Sequence, residues 1–251
     1  MEYFITSKKL IKEIILNQPQ QVSKLYIAEN AYGKDIEEIV SIAKKQKVSF
    51  LSVPKQKILK IFNQGYSGIL LVLSPIKYID LEEFVNNLKN KTKTVVLILD
   101  EIIDPQNFGA ILRSSAAFEV DGVIIQQWNQ SPITQTAVEI SRGGAYIVPI
   151  VKVKNVFNAV KRLKRKNFWV YATSPKGNLM IGENPVDLKT VKSQQYVAVI
   201  LGNEEKGIRK NIIEECDGVI SINHSDKIES LNVSVTCGII LYEIYKKADV
   251  Y

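Results

Sequence analysis

Asn232 interrupts the apolar stretch "LNVSVTCGIILYEIY", where packing alone gives an amide no task. Two other segments gather residue types that do chemistry. "NFGAILRSSAAF" carries Asn107 and a single charge, Arg113, in the middle turns of an otherwise small-residue helix. "GNEEKGIRKN" sets Glu204 and Glu205 beside Lys206 and Arg209. A guanidinium on a rigid, closely packed helix suits a phosphate or a developing oxyanion. The acid–base cluster between Gly202 and Gly207 suits a ligand-lining loop. Plainer explanations exist for most of these residues. Arg113 could form a surface salt bridge, and Gly202 to Gly207 a strand-to-helix turn. Ser230 is expected to cap the last helix, which is expected to begin at Leu231. Asn232, one step inside, is left over.

The elements around these segments give them a common address. Near-continuous apolar runs at 95–100 ("VVLILD"), 122–126, 147–151, 168–173, 196–201 and 218–222 alternate with helical patterns at 106–119, 134–141, 155–166 and 207–215. Strands apolar throughout and separated by helices imply a parallel sheet covered on both faces. In such a sheet ligands bind beyond the carboxyl ends of the strands. The polar segments follow the strands at 95–100, 196–201 and 218–222, and the other strand ends are poorer in polar residues. Residues 1–75 read as a separate α/β domain, with helices at 7–17 (after Ser7), 34–46 and 54–62 and strands at 24–28, 48–52 and 69–73. A charged helix and a Lys/Thr/Asn linker fill 76–94, and the second domain runs over 95–251.

Composition narrows the function. Of 251 residues, 46% are hydrophobic and 24% charged, the balance of a globular protein. No apolar run reaches the roughly 18 residues of a membrane span, and the N-terminus lacks the pattern of a signal peptide. The two cysteines, Cys216 and Cys237, lack CxxC neighbours and there is one histidine, so buried thiols in a reducing cytoplasm are expected, without a zinc site. Residues 1–93 hold 15 lysines and 9 acidic groups, a net of +6 out of +7 for the chain. That excess points to a polyanion-facing N-terminal domain. A second basic knot, "KRLKRK" at 161–166, is either phosphate-facing or merely exposed. Neither GxxxxGK[ST] nor GxGxxG is present, which disfavours ATP and dinucleotide sites.

With these residues in hand, the chain resembles the SpoU/TrmH family of RNA ribose 2′-O-methyltransferases. "NFGAILRSSAAF" looks like the family's first motif, "VILGNEEKGI" its second, and "ISINHSDKIESLNVSV" its third. The N-terminal unit, through its layout and "GYSGILLVLSP", resembles the ribosomal-protein-like RNA-binding domain of the 23S rRNA guanosine enzymes. The resemblance implies an S-adenosylmethionine-dependent homodimer whose C-terminal domain carries a trefoil knot. It assigns catalytic positions to Asn107, Arg113, Glu204, Ser230 and Asn232, and cofactor contacts to Thr173, Leu201, Gly202, Ile222 and Leu231. Asn223, Glu205 and Tyr66 depart from the residues usual in the family. Methyl transfer from a sulfonium is an in-line displacement that needs no metal, only alignment and stabilisation of the emerging alkoxide. A non-catalytic RNA-binding paralogue is the competing class. An adenosine-specific rRNA enzyme is the alternative within the same layout.

Overall fold

A computed structural model of the chain describes residues 2–88, 93–174, 188–225 and 227–245. It divides into two compact units, Met1–Ile76 and Lys77–Tyr251. In the first, β1 (Tyr3–Ile5), α1 (Lys8–Asn17), β2 (Val22–Ala28), α2 (Lys34–Lys45), β3 (Phe50–Val53), α3 (Lys55–Ile61) and β4 (Ile69–Leu73) form a four-stranded sheet in the order β1-β4-β2-β3. The "ILLVL" of β4 is wholly buried because it lies inside this sheet, antiparallel to both β1 and β2, whereas β3 runs parallel to β2. α1 buries Leu10, Ile11, Ile14 and Ile15 on one face. Its opposite face sends Lys12 to Asp35 at 2.8 Å and Glu38 at 2.5 Å on α2. The cap expected from Ser7 is made by its carbonyl alone, which accepts from Ile11 N at 2.9 Å, with no bond from the hydroxyl.

The second unit contains α4 (Leu81–Asn86), β5 (Thr94–Asp100), α5 (Pro105–Ala117), β6 (Gly122–Gln126), α6 (Gln135–Ser141), α7 (Gly144–Ile147), β7 (Ile150–Val153), α8 (Val156–Lys164), β8 (Trp169–Thr173), α9 (Leu188–Ser193), β9 (Tyr196–Gly202), α10 (Lys210–Ile213), β10 (Gly218–Ile220) and α11 (Val233–Tyr245). Its six strands are ordered β10-β8-β9-β5-β6-β7 and every pairing is parallel. All six therefore end at one edge. The central pair β5 and β9 keeps register from Thr94↔Tyr196 to Asp100↔Gly202, so the segments that follow them leave the sheet side by side.

Small residues do the work expected of them. A Cβ on Gly109 would lie 2.7 Å from the Ala137 carbonyl oxygen, so α5 and α6 touch backbone to backbone. A Cβ on Gly144 would come within 2.6 Å of the Leu112 oxygen, which presses α7 onto the same helix. This close approach converts the first part of the expected strand at 147–151 into α7, and the strand proper starts at Ile150. The slimness of α5 is thus used within the chain. α4, sought between the domains, belongs to the second unit. Its Phe84 and Val85 join the core, and the Phe84 ring rests where a side chain on Gly122 would otherwise be. Residues 89–92 of the expected linker lie outside the described residues.

The "KRLKRK" knot is largely spent inside the fold. Arg162 reaches both oxygens of Glu82 at 2.6 Å, and this ion pair holds the Glu82 carboxyl below its usual range. Lys164 pairs with Asp217 at 3.0 Å and donates to the Glu215 carbonyl at 2.8 Å. Among the described residues no helix is long and apolar enough to cross a membrane. Neither cysteine is in a disulfide, but only Cys237 is buried, while Cys216 is half-buried and donates to the Ile212 carbonyl. Burial pushes the Cys237 thiol up to about 12, so at pH 8 it stays protonated and inert. Thiol labelling of the native protein at pH 8 is expected to modify Cys216 only, with Cys237 reacting after denaturation.

Candidate functional site

The site is built at the edge where β5, β8, β9 and β10 end. After β5, Asp104 caps α5 by accepting from Gln106 N at 3.1 Å and Asn107 N at 3.2 Å, with Pro105 at the first helical position. That fixes Asn107 in the first turn, 9% exposed. After β9 the chain closes on itself. Asn203 and Gly207 exchange backbone hydrogen bonds of 3.2 and 2.9 Å, and Gly207 takes φ +66°, a conformation open to glycine. The Asn203 side chain accepts from Glu205 N at 2.9 Å and Lys206 N at 3.0 Å, and donates to the Glu101 carbonyl at 2.9 Å. This turn holds Glu204 toward α5. Asn107 Nδ2 donates to Glu204 Oε1 at 2.7 Å.

The third member arrives from α11, and the expected cap is corrected here. The helix begins at Val233, and the cap is Asn232 rather than Ser230. Asn232 Oδ1 accepts from Ser234 N at 2.9 Å, Val235 N at 3.4 Å and Ser234 Oγ at 2.6 Å. Its Nδ2 donates to Asn107 Oδ1 at 3.0 Å and to Glu204 Oε1 at 3.2 Å. The carbonyl of one amide starts the helix and its nitrogen joins the polar cluster. Leu231, which made the helix look two residues longer, is still in the loop and lines the pocket.

Beside this triangle lies a pocket of about 710 Å³. Ile208, Ile213, Ile220, Ile222, Leu231 and Val233 give it an aliphatic wall. Glu204, Glu205, Lys206, His224 and Glu229 supply charge and polarity. Of the residues expected at a cofactor, Thr173, Gly202, Ile222 and Leu231 line it, whereas Leu201 is fully buried within β9. Gly202 has no room for a side chain, because a Cβ there would sit 2.5 Å from Ile208 Cγ1. Thr173 Oγ1 donates to the Ile200 carbonyl at 2.9 Å, and His224 Nδ1 lies 2.9 Å from the Ile222 carbonyl oxygen. Ser221 Oγ is buried without a hydrogen-bond partner among the described residues. Among the expected catalytic residues, Glu204 and Ser230 line the pocket, and Asn107 and Asn232 are joined to it through Glu204.

Arg113 is not brought to this cluster. It is exposed and makes no hydrogen bond or ion pair among the described residues. Six residues beyond Asn107, it lies about 120° around the helix and about 9 Å along it. Arg209 also differs from expectation. Instead of lining the ligand loop it reaches Asp100 Oδ1 at 2.5 Å and Gln126 Oε1 at 2.7 Å. Asp100 is 1% exposed, so its charge requires that partner. The acid that ends "VVLILD" carried the signal for this anchor, but its mate lay across the fold. Asn203, the keystone of the Glu204 turn, gave no signal beyond its place between Gly202 and Glu204. Among the described residues no three His, Cys, Asp or Glu side chains gather as a metal site requires.

Comparison with known proteins places the chain. The sequence model of the SpoU rRNA Methylase family matches residues 94–242, and that of the RNA 2′-O ribose methyltransferase substrate-binding domain matches residues 8–79. A protein of Staphylococcus aureus assigned to the TrmH family of tRNA/rRNA methyltransferases is 32% identical over 244 residues, 97% of this chain and 95% of its own. An rRNA methyltransferase from Sinorhizobium meliloti shares the fold at a TM-score of 0.73 and 20% identity, covering 97% of this chain and 86% of that one. The SpoU methyltransferase AviRb from Streptomyces viridochromogenes, in complex with the cofactor AdoMet, superposes at 0.73 with 18% identity over 97% and 89% of the two chains. The first sequence model spans more than half of the chain and the staphylococcal relative nearly all of it, so this chain belongs to the SpoU rRNA methylase family.

Proposed function

We propose that the chain transfers a methyl group from S-adenosylmethionine to a ribose 2′-hydroxyl of RNA, acting as a homodimer on a guanosine of 23S (large-subunit) rRNA. The observation that carries this reading is the Asn107–Glu204–Asn232 triangle at the mouth of the pocket, in a chain of this family. The pocket suits the cofactor. Its aliphatic wall matches a purine, and its glutamates match a cationic sulfonium. Gly202, Ile222 and Leu231 hold the cofactor in this reading, with Thr173 beside them and Leu201 acting through the backbone of β9. When bound, the cofactor supplies an electrophilic methyl on sulfur.

The 2′-oxygen passes its proton to solvent water as the methyl arrives, so negative charge builds on that oxygen until the new C–O bond is complete. Asn107 and Asn232 orient the ribose, while Glu204 and Ser230 fix the local network. Arg113 meets the 2′-oxygen and the neighbouring phosphate. A guanidinium stays charged over the working pH range, so its role is electrostatic stabilisation rather than removal of the proton. Because Arg113 lies away from the triangle of its own chain, the arginine of a second copy completes each site. Support comes from α11, whose outward face sets Val235, Ile239 and Tyr242 in an exposed apolar stripe at spacings of four and three residues. The N-terminal unit supports RNA over a small substrate. Residues 39–76 hold six lysines and no acid, and Lys55 Nζ lies 5.1 Å over the Tyr66 ring. A domain of this kind favours rRNA over tRNA as the target.

The test is incubation with protein-free rRNA and cofactor carrying a labelled methyl, followed by mapping of the modified ribose. Label at one guanosine 2′-oxygen is expected, and no incorporation into any rRNA or tRNA would leave only an RNA-binding module. Arg113→Ala is expected to abolish transfer while cofactor affinity, measured by calorimetry, stays within about twofold. Asn232→Asp keeps the helix-capping oxygen but sets a second carboxylate against Glu204, so turnover should fall about 100-fold or more with Tm little changed. Mixing Arg113→Ala and Asn232→Asp chains should restore up to about a quarter of wild-type activity if each site is shared between copies. No recovery after verified subunit exchange would place each site within one chain.

A further inference from the structure

Trp128 is 64% exposed, although burying a side chain of that size stabilises a fold by at least about 2 kcal/mol. It is not carried outward by a loose tail. The loop after β6 is tied down on every side, and none of the ties uses the indole. Gln126 Nε2 donates to the Trp128 carbonyl at 3.1 Å, and Gln127 N to the Val153 carbonyl at 2.8 Å. The Gln130 side chain accepts from Ile102 N at 3.0 Å and donates to the Ile102 carbonyl at 2.8 Å, and Ser131 N donates to that same carbonyl at 2.8 Å. Between them Asn129 takes a left-handed φ of +54°, a backbone setting that turns the chain sharply beside the tryptophan.

These ties set the indole next to the catalytic segment. Ile102 precedes Ile103, which is 62% exposed, and the same strand-end loop leads into α5 and Asn107. Gln126 is also the residue that receives Arg209 from the Glu204 turn. On the other side, Val153 precedes Lys154, which is exposed and makes no ion pair among the described residues. The rim beside the triangle therefore offers an aromatic face, an aliphatic edge and an unpaired cation. That is the chemistry by which proteins hold an unstacked base and its phosphate.

We propose that Trp128, flanked by Ile103, is a stacking platform for an unpaired base next to the target ribose, and that Lys154 takes the adjoining phosphate. The inference rests on the RNA-methylating reading above and adds the form in which the substrate is held, as single-stranded or extruded nucleotides rather than an intact duplex. A second copy of the chain is a less suitable occupant, because the polar Gln127, Asn129 and Gln130 flank Trp128 along the loop whereas the apolar stripe lies on α11.

The sequence makes the test direct, because it contains two tryptophans, Trp128 and Trp169. In a Trp169→Phe protein all tryptophan emission comes from Trp128. Titration with a short unstructured RNA and with protein-free rRNA, alongside filter retention of the same labelled RNAs, is expected to quench that emission in step with binding. Trp128→Ala should weaken retention by about tenfold or more and raise KM for RNA more than it lowers kcat, with Trp128→Phe recovering most of the loss. Retention and methyl transfer with unchanged emission and an unaltered Trp128→Ala variant would overturn the platform and leave the proposed function standing. Emission that follows protein concentration instead of RNA would assign the indole to a contact between copies. An absence of both retention and transfer would overturn both readings.

Discussion

One carboxylate oxygen organises the polar cluster at the sheet edge. Glu204 Oε1 accepts from the amides of Asn107 and Asn232, and those two amides also bond to each other. Asn107 is nearly buried, so its amide needs partners inside the protein or costs the fold its desolvation. Meeting that need fixes where the Glu204 turn closes and where α11 begins. Asn232 satisfies two demands with its two amide atoms, which explains how an Asn came to stand at the head of an apolar helix.

The parallel sheet makes such a meeting possible. Segments far apart in sequence emerge together because β5 and β9 run in register to their ends, with β8 and β10 beside them. A second polar set stands beside the first, where the half-buried Arg209 neutralises the buried Asp100 and bonds to Gln126. Glycines remove the remaining steric obstacles, at Gly202 beneath the pocket and at Gly109 and Gly144 along α5. The charges divide accordingly. Arg162 and Lys164 of the C-terminal basic knot are spent on Glu82 and Asp217, while the lysines of residues 39–76 face no acid of their own segment.

Much of this was legible in the chain because local chemistry and tertiary placement agree. The runs "VVLILD", "GVIIQ" and "YVAVIL" read as strands covered on both faces, and the polar residues after the first, the third and the run at 218–222 marked the edge that carries the site. Where the sequence misled, a distant partner decided the outcome. "YFI" at the N-terminus is a strand only because β4 offers an edge to pair with. "GGAYI" turns helical because Gly144 can lie against the Leu112 carbonyl. Ser230 satisfied every local rule for a cap, yet Asn232 holds that place because its nitrogen has Glu204 and Asn107 to meet. Among the described residues Arg113 stands on the slim helix without the surface salt bridge that was its plainer explanation, and its distance from the triangle depends on helix phase, which motif spacing alone does not convey.

The central claim is that Asn107, Glu204 and Asn232 act as one unit, and a double-mutant cycle on turnover tests it most directly. The kcat/KM for rRNA is measured for Asn107→Ala, Asn232→Ala and the double variant, at a temperature where circular dichroism shows all three folded. If the amides work through the shared carboxylate, the double variant should be no slower than the worse single variant, within about threefold. If the two losses multiply, the amides act independently and the triangle is not the unit that builds the site.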